Sequence, residues 1–323
     1  MKRLALLITA LCLCASPVAA QQGRPFSPRP ITIVLAFPPG ASADTNMRWV
    51  TQKVTDQTGQ TFVIKNMAGG SGTVAATAVK RAPGDGLTLL QVTLTTMATN
   101  QYLSDEKPYD LVTDFKPVTK LWSLPLLAMT SSRSNVKNLR ALVDLARSKP
   151  GGLNYASTGV HTVPHFLGAL FTVESGAPMT HVPYSGASTA IVDLIENRLD
   201  FYFVSYASVI AFMQQGSLRA LAVGETRRMT ALPDLPTAAE AGFPSIALPA
   251  HWGLLAPAGT PDDSIAALNG MFVRALRDPE IQRTTAAQGT EIAPTTPKEF
   301  GDMVVAEFIN LERVLKATGM GKP

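Results

Sequence analysis

Cysteine is nearly absent from this 323-residue chain: there are two, Cys12 and Cys14, both close to the start. Past them neither disulfides nor thiol chemistry is available, so stability has to come from an ordinary apolar core. Charge is also sparse, at 16% of residues, and the formal net charge of +4 falls to +2 once Lys2 and Arg3 are discounted, which argues against a nucleic-acid-binding surface. Beyond residue 20 no uninterrupted apolar run approaches the roughly 20 residues of a membrane span. Signatures of chemistry are missing too. There is no Gly-x-Ser-x-Gly elbow, and Ser134 with Lys137 has Ser-x-x-Lys spacing without the partner motifs of penicillin-binding enzymes. Gly69, Gly70 and Gly72 suggest a phosphate cradle, but no Gly-Lys-Ser/Thr follows and the spacing fails the dinucleotide pattern. No cofactor is implied.

What is present begins with an export signal. Lys2 and Arg3 precede an apolar run from Leu4 to about Ser16, and Val18-Ala19-Ala20 supplies small residues for cleavage after Ala20. A lipid anchor on Cys12 or Cys14 is the competing reading, weakened by the bulky leucine before each. The mature protein is expected in the periplasm, and its roughly 300 residues suffice for two domains.

The stretch from Ile31 to Gly59 organises the rest. Ile31–Ala36 reads as a buried parallel strand, Phe37-Pro-Pro-Gly-Ala-Ser-Ala-Asp44 as a turn too proline-rich to continue it, and Met47, Val50 and Val54 mark a helix stopped by Gly59. Asp44 fits the N-cap, its carboxylate accepting from amides one turn on; it could also fix a water or a ligand donor. Strands at 61–65 and 87–93 around a helix from Thr73 to Arg81 make a βαβαβ unit, hence a parallel sheet flanked by helices. The alternation restarts near Lys120. Strands near 124–129, 153–156, 179–182, 199–204 and 218–223 and helices at 138–148, after Pro164 and through Ile191–Ile195 form a second set. After Arg227 come a proline-rich connector, a strand at His251–Leu255, a long helix started by Thr260-Pro-Asp-Asp263 and two closing helices, 279–288 and 297–318. This tail is expected to return to the first lobe. The prediction is an α/β protein of two lobes, residues 27–123 with 229–323 and residues 124–228, joined by a two-crossing hinge.

One device recurs. Loops at Phe37–Asp44, Asn66–Gly72, Ser157–Thr162 and Tyr184–Ser188 each lead from a strand to a helix and are rich in small or hydroxyl residues. Helix N-termini at a sheet's carboxyl edge offer free N–H groups and the positive end of the dipole, an anion site needing no cationic side chain. His161 and His165 stand four apart, as zinc ligands do on a helix, but Pro164 intervenes and no acidic residue completes a metalloprotease pattern, so no metal site is expected. Presentation of His161, Thr162 and His165 to a polar ligand, or a structural role, are the alternatives; Tyr184 is divided between lobe packing and ligand contact. Trp49, Trp122 and Trp252 read as core or interface. A secreted α/β enzyme using His161, His165 and Asp44 is the rival reading.

At these loops the sequence resembles the tripartite tricarboxylate transporter receptors, the Bug-type extracytoplasmic solute-binding proteins. The resemblance rests on Phe37-Pro-Pro-Gly40 with Asp44, Asp85-Gly-Leu-Thr-Leu-Leu90, Pro150-Gly-Gly-Leu-Asn-Tyr-Ala-Ser157, His181-Val-Pro-Tyr-Ser-Gly186, Leu218–Val223, Leu235–Gly242 and Ala256–Pro261, in order along nearly the whole mature chain. It implies a type II periplasmic-binding-protein (Venus flytrap) fold, each lobe a mainly parallel sheet flanked by helices, closing as a monomer on a small carboxylate for membrane transporter subunits or a sensor. Carried over, the contacts fall on Phe37, Ala41, Ala43 and Asp44, with Ser42 between them, and on Ser157, Thr158, Gly159, Thr162 and His165, with Tyr184 and Gly186. Three places depart from the family: Ala41 and the pair Glu196-Asn197 where glycines are usual, and His161 where a smaller residue stands.

Overall fold

A computed structural model describes residues 26–321 except Pro249 and Gln288. The expected signal segment, its cleavage site and both cysteines lie outside the described residues.

The chain forms two sheets. The first orders its strands β2 (Phe62–Asn66), β1 (Ile31–Leu35), β3 (Thr88–Thr93), β10 (Ala250–Pro257), β4 (Phe115–Leu124) and the short β11 (Glu291–Ile292). The second runs β7 (Met179–Pro183), β6 (Leu153–Ser157), β8 (Phe201–Ser205), β5 (Leu126–Ser131) and β9 (Leu218–Val223). The shared part is one pattern used twice: three parallel strands, then an antiparallel one, then a strand antiparallel to that, which is the edge in the second sheet and is followed by β11 in the first. In each sheet the antiparallel strand is one that crosses between lobes. β5 follows β4 after Pro125 alone, and β10 is the return. This is the two-lobed α/β fold expected, with one reversed strand in the shared part of each sheet.

The elements form for local reasons. Helix α1 (Ser42–Thr58) ends where Gly59 takes φ +72° and donates its N–H to the Thr55 carbonyl, a left-handed C-cap. Helix α10 (Pro297–Thr318) opens with a reciprocal capping box between Thr296 and Glu299, carries Pro297 in its first turn and stops at Gly319. The long helix α8 (Asp262–Leu276) corrects the expected cap: it starts after Pro261 with no side-chain cap, and the Thr260 hydroxyl is buried without a partner. Asp262 and Asp263 in its first turn supply the favourable charge instead. The two-residue β11 and three longer elements escaped the sequence reading. β4 is ten residues with the uneven burial of a strand sandwiched between helices; α3 (Leu94–Leu103) and α7 (Tyr206–Gln214) start directly from the ends of β3 and β8 without a punctuating loop.

The lobes are not independent cores. α10 packs on β4 and α3 of the first lobe and on α5 (Val163–Ser175) of the second, and one apolar cluster runs from Val92, Phe300 and Val304 through to Phe166 and Phe203. The expected return to the first lobe at residue 229 is earlier than the return strand. Residues 224–248 stay against the second lobe: Phe243 meets Phe171 edge-on at 5.0 Å, the Gly224 N–H donates to the Leu126 carbonyl, and the Ser245 N–H donates to Glu174. The proline-rich connector offers no periodicity from which this docking could be read.

Candidate functional site

Between the two sheets lies a cavity of about 420 Å³. Phe37, Ala43, Thr93, Thr96 and Trp252 line it from the first lobe, and Thr158, Thr162, Pro164, Tyr202 and Ser205 are among those facing it from the second. Leu124, Leu126 and Ala250, at the two crossings, complete the wall. Five helices begin here: α1 at Ala43, α3 at Thr93 and Thr96, α5 at Thr162 and Val163, α6 (Ala187–Ile195) at Ala187, and α7 at Ser205 and Ser208. Parallel strands leave every strand-to-helix turn on one edge, and the two edges face each other. Each helix brings first-turn N–H groups and a partial positive charge. No Lys, Arg, His, Asp or Glu is among the described residues lining the cavity.

The first-lobe corner is held from behind. The N-cap of α1 is Ala41, so Asp44 is the third helical residue rather than the cap. Its carboxylate reaches backward to accept the Gly40 N–H at 3.0 Å, and also accepts from Arg48 Nε at 3.0 Å and from Asn66 Nδ2 at 3.0 Å. Asn66 donates as well to the Phe37 carbonyl, pinning the loop to β2. The Arg48 hydrogen bond, with those from Gly40 and Asn66, holds the Asp44 carboxyl down at about 2 although burial pushes the other way. Arg48 thus cancels a charge that would oppose an anion at this helix end.

The second-lobe corner uses rings. His165, third residue of α5, accepts the His161 N–H at its Nδ1, 3.0 Å away, which places its own proton on Nε2. Its ring stacks on His181 at 3.8 Å, and Tyr155 lies against both and against Phe201. Ser157 Oγ donates to the Gly159 carbonyl, accepts the Gly159 N–H and lies 2.6 Å from His181 Nε2, which is therefore the donor. Burial, then the neighbouring His181 and His161 rings, lower the His165 pKa to about 4; burial lowers His161 and His181 also. At neutral pH the corner is uncharged. His161 has φ +61° and Asn197 φ +60°. The left-handed region, easiest for glycine, accounts for the smaller residue expected at 161 and for one of the glycines expected at 196–197.

A family model described as tripartite tricarboxylate transporter family receptor matches residues 46–320. The chain belongs to that family. This receptor is 30% identical over 306 residues to Protein BugT of Bordetella pertussis, covering 94% of this chain and 93% of that one. Among solved structures, an R. palustris protein with adipate superposes with a TM-score of 0.81 at 30% identity, covering 90% and 98% of the two chains. MatC from Rhodopseudomonas palustris with bound malate gives 0.75 at 30% identity, covering 89% and 99%.

In this receptor the structure brings Phe37, Ala43, Thr158 and Thr162 to the cavity wall. Ala41 is the N-cap of α1 and Ser42 its first residue; Asp44, Ser157, Gly159 and His165 stand behind the wall in the networks just described. Gly186 is the N-cap of α6. Tyr184 does not line the cavity: its hydroxyl donates to Asp193 at 2.7 Å, and burial with that bond raises its pKa to about 12. The triple-glycine loop lines a separate hollow of about 90 Å³ that shares Phe37, Thr93 and Thr96 with the main cavity. Trp252, Thr93, Tyr202, Ser205 and Ser208 were missed as site residues. Thr93 and Ser205 had only their position at a strand's end as a signal, Tyr202 and Ser208 had none, and Trp252 read as a core or interface tryptophan.

Proposed function

We propose that this receptor captures a small carboxylate in the interlobe cavity and presents it, as a periplasmic monomer, to the membrane subunits of a tripartite tricarboxylate-type transporter. The observation that carries the reading is the convergence of five helix N-termini on a cavity with no charged side chain among its described lining residues. Such a site holds an anion through peptide N–H groups, each helix end contributing about 0.3–1 kcal/mol when exposed and up to about 2 when partly buried. The adipate and malate of the two structural relatives, both carboxylates, support the same chemistry. Transport rather than sensing follows the family's description. Export with cleavage after Ala20 suits a periplasmic site.

The hinge is taken at residues 124–126 on the way out and next to Ala250 on the return, with α10 as the packed element that lobe movement slides against α5. A ligand bridging both lobes favours the closed form through contacts absent in the open one. The enzyme alternative has no supporting observation: Asp44 belongs to one lobe and His161 and His165 to the other, and the acceptor atoms of Asp44 and His165 are taken by their own backbone.

A thermal-shift screen of mono-, di- and tricarboxylates tests the proposal. A bound acid at about 100 times its Kd adds about 2.7 kcal/mol of stability; no shift with any acid overturns it. Because Asp44 shapes the first loop, Asp44→Ala is expected to weaken binding more than Lys65→Ala on the exposed side of β2. Equal losses by calorimetry remove the case for that loop.

A further inference from the structure

We infer that Trp252 and Thr93 set specificity in this cavity, selecting an acid with a flat, apolar body that carries a second oxygen; the inference rests on the carboxylate reading above. The lining divides by chemistry. Hydroxyls and helix starts, Thr96, Thr158, Thr162 and Ser205, gather where the strands end. Leu124, Leu126 and Ala250 at the crossings, with the rings of Phe37, Trp252 and Tyr202, make up the apolar share of the wall. A carboxylate suits the first part. A second or third carboxylate reaching the second part would be desolvated largely against hydrocarbon, where two neutral polar groups cannot replace its hydration.

Two polar atoms interrupt the apolar part. Trp252 and Thr93 are paired directly across β10 and β3, so their side chains share one face of the sheet. They are 7% and 8% exposed, both line the cavity, and neither the Trp252 indole N–H nor the Thr93 hydroxyl has a hydrogen-bond partner. A buried donor left unpaired is costly, so a group that satisfies it is strongly selected. The indole cannot turn away to find another partner: Trp122 stacks behind it at 6.3 Å and Phe37 lies 4.9 Å away on its other flank. A donor fixed beside ring faces fits a planar body, such as an aromatic ring, bearing a hydroxyl or carbonyl oxygen that the indole N–H can reach. The Thr93 hydroxyl, able to donate or accept, completes the pairing.

Calorimetry on the full mature protein with benzoate, 4-hydroxybenzoate, malate and citrate tests this. The expected order puts 4-hydroxybenzoate first, at least tenfold tighter than malate or citrate. Trp252→Phe keeps an aromatic face and removes only the N–H, so it should weaken 4-hydroxybenzoate tenfold or more and benzoate less than threefold. Thr93→Val, nearly isosteric, should show the same selective loss and serves if Trp252→Phe does not fold. Malate or citrate binding tighter than both aromatic acids overturns this inference and leaves the carboxylate reading standing. Equal losses for both aromatic acids in either variant overturn the roles of the two residues. No binding by any acid overturns both readings together.

Discussion

The strand-to-helix corners that open α1 and α5 share one backbone plan and differ in chemistry. Counted from the helix start, Gly40 matches His161 and Asp44 matches His165. In each corner the residue before the cap has positive φ, and the third helical residue turns back to accept that residue's N–H. A helix N-terminus leaves orphan donors, and both lobes satisfy one with a side chain from the first turn. The carboxylate brings a charge that Arg48 and Asn66 must neutralise; the imidazole brings none, provided it stays unprotonated. Deeper in, the lobes divide volume differently. Two turns into its helix the first lobe has Met47, with Ile33 on its strand, both fully buried; the second has Gly168 and the ring of Tyr155 at the matching positions. A Cβ on Gly168 would run into that ring.

The largest expected effect breaks the second corner alone. Gly168→Ala has no room without displacing Tyr155, itself wedged against His181 and Phe201, so a loss of about 1–3 kcal/mol or more is expected in urea denaturation. Asp44→Ala strikes the first corner, stranding the Gly40 N–H and one of the two Asn66 amide hydrogens, and should cost about 1–3 kcal/mol. A loss below about 0.5 kcal/mol would mean that water takes the place of the carboxylate as acceptor.

Acid separates the corners by window. Both groups have depressed pKa values, so each contributes stability that is complete above its unfolded pKa and lost as pH falls through its folded one. For His165 that loss spans from about 6.5 to about 4; for Asp44 it spans from 3.8 to about 2. The His165 share is on the order of 3 kcal/mol. His165→Asn should therefore reduce the slope of unfolding free energy between pH 6.5 and 4, leaving a residual slope from His161 and His181, which burial also lowers, and from His251, which burial and Lys120 lower to about 4. An unchanged slope would show that the second corner does not titrate. The smallest effects concern φ. Gly40→Ala, in open space but at φ +81°, should cost about 1 kcal/mol. His161→Gly should stay within about 0.5 kcal/mol, relief of left-handed strain offsetting the lost stacking on Phe166. Equal losses from the two would end the equivalence of Gly40 and His161.

Strands and helices with clean boundaries were legible: Gly59 stops α1, Pro297 starts α10, and the alternating pattern announced two α/β lobes. β4, α3 and α7 were not, because a buried strand between helices and a helix running straight on from a strand leave neither period nor punctuation. At the cavity, the loops that hold Phe37, Ala43, Thr158 and Thr162 were legible because small and hydroxyl residues after a strand mean a helix start, while the individual residues came from the family resemblance. Asp44 and His165 were picked for chemistry, yet that chemistry is spent on the backbone behind the wall.

The sequence by itself determined the kind of site: strands that end in small-residue turns must put helix N-termini on one edge, and a chain poor in charge must use them. Tertiary structure alone decided which residues meet there. Trp252 faces Thr93 because β10 inserts between β3 and β4 in one register, and a pairing across some 160 residues is fixed by hydrogen-bond geometry and packing that no local pattern encodes.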